Sequence, residues 1–276
     1  MNALEIKNLS KSLSGFYLDN LNLTLPSGCV MGLIGENGAG KSTTIKLILG
    51  MLRKDSGTIT ILGDEKNISL IKEDIGVVMD EIGIPECLTA KQIGRVMKYT
   101  FRNWDAGEYA RILQKLSLPD DKPFKDFSRG MKTKLGIAIA MSHHAKLLLL
   151  DEPTSGLDPV VRDEIIEMLY DFTRDEEHSI LISSHIVSDL ERLCDYVAFL
   201  HNGKLLLCEE KDILLSEYCI VYCPSERVSE FGNIKYKKET PYGTEIMMSR
   251  RDVPDGFKIS PISIEELFVF MAKEAR

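Results

Sequence analysis

The chain of 276 residues lacks the features of a membrane or secreted protein. Its apolar runs, such as residues 147–150 and 205–208, have the length of a strand, whereas a membrane-spanning helix needs about 20 apolar residues. The first residues carry no apolar segment of the kind found in a secretory signal. From this we expect the protein to stay in the cytoplasm.

Positive charge and closely spaced cysteine pairs are also lacking. The 34 Lys and Arg residues stand against 42 Asp and Glu, which gives a net charge of −8. Since proteins that bind nucleic acid generally carry an excess of Lys and Arg, we expect no nucleic-acid partner. The six cysteines include no pair with the two-residue spacing of a zinc knuckle, so we interpret them as reduced, mostly buried thiols.

The length allows one large α/β domain and a small appendage. Apolar residues at strand spacing predict β-structure over residues 4–9, 21–25, 58–63 and 75–79. Residues 89–118 instead place apolar residues at helical spacing, and a helix capped at residues 103–105 is expected to run to about Leu116. We therefore predict a mostly helical insertion within an α/β domain.

The second half of the chain changes character twice. A helix is predicted over residues 136–146, before a fully apolar strand. From about Ser216, β-like segments alternate with turns, and an amphipathic helix over residues 263–273 closes the chain. The apolar side chains of that helix can bury against the core or against a second copy of the tail, so two interpretations stay open.

One segment carries a chemistry of its own. Residues 35–42 read Gly-Glu-Asn-Gly-Ala-Gly-Lys-Ser, between a predicted buried strand and the start of a predicted helix. The glycines let backbone N–H groups curl around an anion, and the helix N-terminus adds the positive end of its dipole. Lys41 can reach the terminal phosphates, and the hydroxyl of Ser42 can ligate Mg²⁺. This P-loop predicts a nucleoside triphosphate site formed by Gly35, Glu36, Asn37, Gly38, Ala39, Gly40, Lys41, Ser42 and Thr43.

A pair of carboxylates follows the apolar strand at residues 147–150. Asp151 and Glu152 stand at its C-terminal end, and in an open parallel sheet ligands bind at that edge. Asp151 is suited to hold Mg²⁺, directly or through water, and Glu152 to polarise the attacking water. Phosphoryl transfer needs these parts: an electrostatic cradle, a metal ion and a positioned nucleophile.

These motifs, taken in order, resemble the nucleotide-binding domain of ATP-binding cassette (ABC) ATPases. The resemblance covers about residues 3–210 and includes residues 153–158 (Pro-Thr-Ser-Gly-Leu-Asp) and His185 after a predicted strand. It implies an α/β fold: a P-loop NTPase core of the ABC type with an antiparallel β subdomain. It further implies a helical subdomain inserted at about residues 84–145, a nucleotide-binding domain over residues 1–213, and a small C-terminal α+β extension over residues 214–276.

The resemblance also implies roles for residues beyond the P-loop. Residues 127–131 (Phe-Ser-Arg-Gly-Met) are similar to the family's signature motif, which contacts the γ-phosphate of nucleotide bound to the opposite subunit. By this resemblance Ser128 and Gly130 contact that nucleotide, and Asp158 reaches across the dimer. His185 would contact the γ-phosphate in its own chain and act with Glu152 and Lys41 in catalysis.

The sequence departs from the family pattern at two places outside these motifs. Where the family usually carries a glutamine that touches Mg²⁺, this chain has Asp80 followed by Glu81. An acid can ligate Mg²⁺ as well, so we predict Asp80 as a third metal ligand beside Ser42 and Asp151. Where the family usually stacks an aromatic ring on adenine, this chain has Leu13, and Phe16 or Tyr17 is the candidate substitute.

We interpret the chain as the ATP-binding, ATP-hydrolysing subunit of a membrane transporter of the exporter type, with ATP and Mg²⁺ as cofactors. We expect a homodimer or pseudo-homodimer of ATPase subunits. Each pair would dock on a transmembrane permease subunit carried by a separate chain, peripheral on the cytoplasmic face of the membrane, near residues 80–105. The alternative is a soluble ABC ATPase that acts on a ribosome, DNA or an assembly scaffold; a nucleotide-binding module without turnover is the third.

Overall fold

The computed structural model describes residues 1–65, 71–79 and 83–275. The strands are β1 (Asn2–Leu13), β2 (Phe16–Pro26), β3 (Val30–Ile34), β4 (Ser56–Ile61), β5 (Ile75–Val78), β6 (Leu147–Asp151), β7 (Ser179–Ser184), β8 (Tyr196–His201), β9 (Lys204–Glu210), β10 (Tyr218–Cys223), β11 (Tyr236–Thr240), β12 (Gly243–Ser249) and β13 (Ile259–Ser260). The helices are α1 (Lys41–Ile48), α2 (Ala90–Thr100), α3 (Ala106–Lys115), α4 (Arg129–Met141), α5 (Pro159–Phe172), α6 (Val187–Leu193), α7 (Lys211–Glu217) and α8 (Ile264–Glu274). None of these helices has both the length and the apolar character needed to cross a membrane.

Nine of these strands form one sheet in the order β4-β1-β2-β9-β8-β3-β7-β6-β5. Strands β3, β7, β6 and β5 run parallel, and the strands at their centre are buried along their whole length. Strands β4, β1 and β2 are antiparallel, which agrees with the predicted antiparallel subdomain. The β8–β9 hairpin joins the two parts, since β8 pairs with β3 and β9 with β2.

The register of the parallel strands brings the predicted site residues to one edge. Ile34 pairs with Ser184 across β3 and β7, and Asp151 pairs with Ser183 across β6 and β7. The segments that follow these strands therefore leave the sheet side by side. They are the P-loop, the turn at Glu152 and the turn at His185.

Helices α2, α3 and α4 lie between β5 and β6, as the predicted helical insertion required. The side chain of Asp105 caps α3 by accepting from the N–H of Glu108 at 2.8 Å, and Leu116 is the C-cap, which confirms that helix. The prediction for α4 was wrong at its end. It stops at Met141 because His144 adopts a left-handed φ of 59°, which no α-helix continues.

The main sheet carries a hydrophobic core on each face. One core packs the antiparallel strands against Ile45 and Ile48 of α1. The other packs the parallel strands against the inserted helices, α5 and α6, and it extends to Leu267 and Phe270 of α8. Both cores meet at β3, the strand that leads into the P-loop.

The C-terminal segment forms a second antiparallel sheet, in the order β11-β12-β10-β13. One face closes a small core of its own, which contains Cys219, Cys223 and Phe231, while Ile220 and Met247 on the other face join the main core. Leu267 of α8 is fully buried, and the ring of Phe268 meets that of Phe199 in β8 edge-on at 5.3 Å. Of the two interpretations left open, the tail therefore packs on the core of its own chain.

Candidate functional site

The P-loop leaves β3 and enters α1 through glycines that no other residue replaces without strain. Gly38 and Gly40 have φ values of 84° and 112°. A Cβ on Gly40 would lie 2.7 Å from the ring of Phe16, closer than any carbon approaches. The N–H of Thr44 donates to the carbonyl oxygen of Gly40 at 2.8 Å and starts the helix.

Lys41 is buried within the loop that it follows. Its Nζ donates to the carbonyl oxygen of Gly35 at 2.7 Å and lies 3.0 Å from Oε1 of Glu152. The ammonium group is thus held at the mouth of the loop by oxygen atoms alone. An anionic phosphate offers the same type of acceptor with a greater charge, so Lys41 is placed to exchange these partners for a ligand.

Asp151 is buried at the end of β6 and forms the centre of a hydroxyl network. Its Oδ1 accepts from Ser42 Oγ at 3.0 Å and from Ser183 Oγ at 2.7 Å. The hydroxyl of Ser183 also accepts from the N–H of Glu152 at 3.0 Å. Ser183 therefore orients both carboxylate residues, although the sequence analysis assigned it no role; its position at the end of a buried strand beside β6 is the signal that was missed.

Glu152 has a left-handed backbone, with φ of 51°, which costs a non-glycine residue about 1 kcal/mol or more. This turn directs its carboxylate back over the P-loop. Oε1 faces Lys41, and Oε2 lies 2.7 Å from Nδ1 of His185. The three residues predicted to act in catalysis are thus in direct contact.

These groups line one cavity of about 550 Å³. Its walls are formed by Leu13, Ser14, Phe16, Glu36, Asn37, Gly38, Gly40, Lys41, Ser42, Thr43, Arg129, Asp151, Glu152, Ser155 and His185. Gly35 and Ala39 belong to the loop but are not among these wall residues, because they face the protein interior: Ala39 is buried, and Gly35 lies against the carbonyl oxygen of Leu200. Of the two aromatic candidates for the nucleotide base, Phe16 lines the cavity, whereas Tyr17 lies outside it with about half of its surface exposed.

Three more predicted residues, which do not belong to the P-loop, lie outside this cavity. Ser128 caps α4 by accepting from the N–H of Met131, and Asp158 caps α5 by accepting from Val160 and Val161. Gly130 in the first turn of α4 is likewise absent from the walls. The predicted metal ligand Asp80 lies outside the described residues.

Arg129, the residue between Ser128 and Gly130, was not among the predicted site residues, yet it reaches the cavity wall. Its guanidinium lies over Gly156, where a Cβ would be 2.7 Å from Nη1. The α4 N-terminus therefore approaches the loop that follows Glu152.

A second cavity, of about 510 Å³, separates the helical insertion from the sheet. It is an open groove with mostly apolar walls, formed by Leu49, Met51, Lys72, Glu73, Ile75, Val77, Thr100, Phe101, Ile139, Ala140 and His143. His143 is buried at its floor and stacks on Phe101 with ring centres 4.0 Å apart. Burial lowers the pKa of His143, although contacts with the carbonyl oxygens of Ile139 and Ile75 partly oppose this.

The fold and the cavity define a P-loop ATPase. A family model described as ABC transporter matches residues 18–155. The lantibiotic transport ATP-binding protein SrtF of Streptococcus pyogenes is 40% identical over 76% of this chain and 91% of its own. The bacitracin transport ATP-binding protein BcrA of Bacillus licheniformis is 37% identical over 68% of this chain and 63% of its own.

A solved structure of the ATP-binding subunit of an ABC transporter is 29% identical, with a TM-score of 0.67, and covers 77% of this chain and 91% of its own. The chain therefore belongs to the ABC transporter family. It is an ATP-binding protein and an ATPase of that family.

Proposed function

We propose that this chain powers an exporter by binding and hydrolysing ATP at the cavity above the P-loop. The observation that carries the proposal is the direct contact of Glu152 with both Lys41 and His185 at the edge of the sheet. The relatives named for lantibiotic and bacitracin transport support export as the work done. The names of these relatives favour an antibiotic as the cargo, in preference to another peptide or a lipid-like compound.

The chemical step follows from the charges in the cavity. The P-loop amides and Lys41 would hold the phosphates. Binding of the phosphates would draw Lys41 away from Glu152 and free that carboxylate. Glu152 would then polarise a water molecule in line with the γ-phosphate, and His185 would contact the γ-phosphate from its place beside Glu152. The contacts of Glu152 with Lys41 and with His185 compensate the charge of its carboxylate.

Mg²⁺ fits the oxygen atoms that the cavity offers. Ser42 Oγ and Asp151 Oδ1 lie 3.0 Å apart, and Mg²⁺ is usually held by one or two protein oxygens together with phosphate oxygens and water. We propose Ser42 and Asp151 as the ligands, and Asp80 remains a predicted third.

A second ATPase subunit would complete the site. Ser128, Gly130 and Asp158 lie outside the cavity of their own chain, and Ser128 and Asp158 are exposed at helix N-termini. This position suits contact with nucleotide held by another subunit. ATP would then stabilise a closed pair, and hydrolysis would remove the γ-phosphate contacts that hold it closed.

The apolar groove is the proposed dock for a permease subunit on a separate chain. A groove with mostly apolar walls that also include the charged residues Lys72 and Glu73 suits an amphipathic segment of a partner. We place the protein on the cytoplasmic face of the membrane through that contact. We further propose that residues 1–213 form the nucleotide-binding domain, and residues 214–276 an extension packed against it.

The test is reconstitution of the chain with the transmembrane protein encoded beside it, in sealed vesicles. We expect the two to purify together and ATP to drive transport, and Glu152→Gln to abolish transport while the complex persists. ATP hydrolysis without any membrane partner, together with binding to ribosomes or DNA, would instead favour the soluble alternative.

A further inference from the structure

The turn between β8 and β9 is fixed against both the P-loop and β2. Asn202 and Gly203 have left-handed φ values of 47° and 76°, as a tight hairpin requires. The N–H of Gly203 donates to the carbonyl oxygen of Ala39 at 3.0 Å, and its own carbonyl oxygen accepts from Asp19 at 2.8 Å. A Cβ at this position would lie 1.9 Å from the carbonyl oxygen of Tyr17, so only glycine fits.

His201, the last residue of β8, is buried in this turn with 3% of its side chain exposed. Its Nε2 lies 2.8 Å from the amide nitrogen of Asn202, and its Nδ1 lies 3.0 Å from Oε1 of Glu36 in the P-loop. Because the Asn202 amide donates to Nε2, Nε2 accepts and the ring proton resides on Nδ1. The imidazole therefore presents its Nδ1–H towards the Glu36 carboxylate.

The Glu36 carboxylate is the polar group that faces this buried nitrogen at close range. The approach is bent, so it is a close polar contact between the ring N–H and the carboxylate and not a straight hydrogen bond. The main chain of Glu36 in turn holds the loop together, since its carbonyl oxygen accepts from Ala39 N at 3.1 Å and from Lys41 Nζ at 3.3 Å. The contacts thus run from the hairpin through Glu36 to the lysine that faces the phosphates.

We propose that His201 is a positioning residue for nucleotide binding, acting through Glu36. Its N–H holds the Glu36 carboxylate at the cavity wall and keeps the first half of the P-loop in the shape that accepts a triphosphate. An untethered carboxylate is free to approach the phosphates and repel them. His201 therefore acts on binding of ATP and leaves the hydrolytic groups Glu152 and His185 untouched. The inference depends on the P-loop being the nucleotide site, as proposed above.

The experiment measures the dissociation constant of a fluorescent ATP analogue, and kcat and KM for ATP, in the full chain. His201→Leu removes the N–H, whereas His201→Asn keeps an amide N–H near the position of Nδ1. We expect His201→Leu to weaken binding and raise KM on the order of tenfold, as loss of a close polar contact with a charged group does. His201→Asn should stay within about threefold of the parent, with kcat little changed in both.

The coupling is tested in the Glu36→Ala background, where His201→Leu should have almost no further effect on binding. Additive losses, or equal weakening by Leu and Asn, would overturn the inference. His178→Leu is the matched control. His178 is a histidine with a hydrogen-bond partner, the main-chain oxygen of Phe172, and it stacks on the ring of Phe172 away from the P-loop. Lys41→Ala separates the two hypotheses. Normal binding in Lys41→Ala defeats the proposed nucleotide site, whereas normal binding in His201→Leu alone defeats only the positioning role.

Discussion

Two of the cavities that the described residues form, the one above the P-loop and the groove beside the helical insertion, are nearly equal in size and opposite in chemistry. The cavity above the P-loop, about 550 Å³, has walls of glycine, hydroxyl and charged groups that already pair with each other. The groove beside the helical insertion, about 510 Å³, has mostly apolar walls. Paired charges can exchange partners for a charged ligand, whereas exposed apolar surface gains free energy only when something covers it. The first cavity thus suits an anionic ligand, and the second is the groove that we propose as a dock for a protein partner.

The largest expected effect follows from Lys41→Ala, which removes the ammonium group of the P-loop and leaves the groove unchanged. We expect ATP turnover to fall by about 100-fold or more, since one preorganised donor at a developing charge contributes about that much. ATP binding should weaken as well, measured by titration with a fluorescent analogue. Lys46→Ala, on the exposed side of the same helix, is the control and should hydrolyse ATP normally. Unchanged turnover in Lys41→Ala would show that the site lies elsewhere.

Glu152→Gln separates binding from hydrolysis within the same cavity. The amide keeps the size of the side chain but cannot polarise water as a carboxylate does. We expect ATP to bind as tightly as in the parent, turnover to fall by about 100-fold or more, and a dimer to accumulate in ATP and Mg²⁺. Size-exclusion chromatography with light scattering measures the dimer. Glu167→Gln, on the exposed face of α5, should remain fully active; a Glu152→Gln chain that hydrolyses at the parent rate would move the water-polarising role to another residue.

Ser128→Arg tests whether the exposed α4 N-terminus completes the cavity of a second subunit. In the Glu152→Gln background we expect the extra bulk and charge to prevent the ATP-dependent dimer, while the monomer binds ATP within about threefold of its parent. The same chromatography and titration report both quantities. If dimerisation persists, α4 does not face the opposite nucleotide, and if both properties fail together the variant has lost its fold.

The contrast between the cavities explains how much of this protein was predictable. The P-loop cavity is specified by short motifs whose chemistry is local: Lys41 and Ser42 follow the glycines directly, and Asp151 and Glu152 end one strand. Their meeting depends only on the rule that parallel strands end at one edge of a sheet. That His185 contacts the γ-phosphate and acts with Glu152 and Lys41 stays a prediction, with which its 2.7 Å approach to Glu152 is consistent.

The groove could not be predicted in detail because no motif describes it. Met51, Val77, Phe101 and His143 come from four separate segments, and only the packing of the insertion on the sheet brings them together. Ser183 and His201 escaped prediction for a related reason: a single polar residue at a strand end acquires its role from neighbours distant in the sequence. The early end of α4 likewise follows from the left-handed turn at His144, in a stretch without glycine.

Met51→Asp tests the groove while the other cavity stays intact. Met51 lies on the groove wall with 63% of its surface exposed, so the substitution should not disturb folding. In a complex the carboxylate would be buried without a partner, at a cost of a few kcal/mol. We expect the affinity for the membrane partner to fall on the order of tenfold or more, and ATP binding by the isolated chain to stay normal. Tyr99→Asp, exposed and outside the groove wall, is the matched control; equal loss of partner binding in both variants would place the interface elsewhere.

The smallest effect concerns His143 at the floor of the groove. Burial holds the pKa of His143 below that of an exposed histidine, which is about 6.5. Between the folded and unfolded pKa values the unfolded chain binds more protons, so this group stabilises the fold above about pH 6.5 and its contribution is lost as the pH falls through the folded pKa.

His143→Gln removes this proton uptake. We therefore expect the melting temperature of His143→Gln to fall less between about pH 7.5 and about pH 5.5 than that of the parent. Because the groove is the proposed dock, a bound partner should exclude water from the groove above His143. The stability of the parent should then fall more steeply as the pH is lowered. If calorimetry finds the same pH slope with and without the partner, the partner does not cover the floor of this groove.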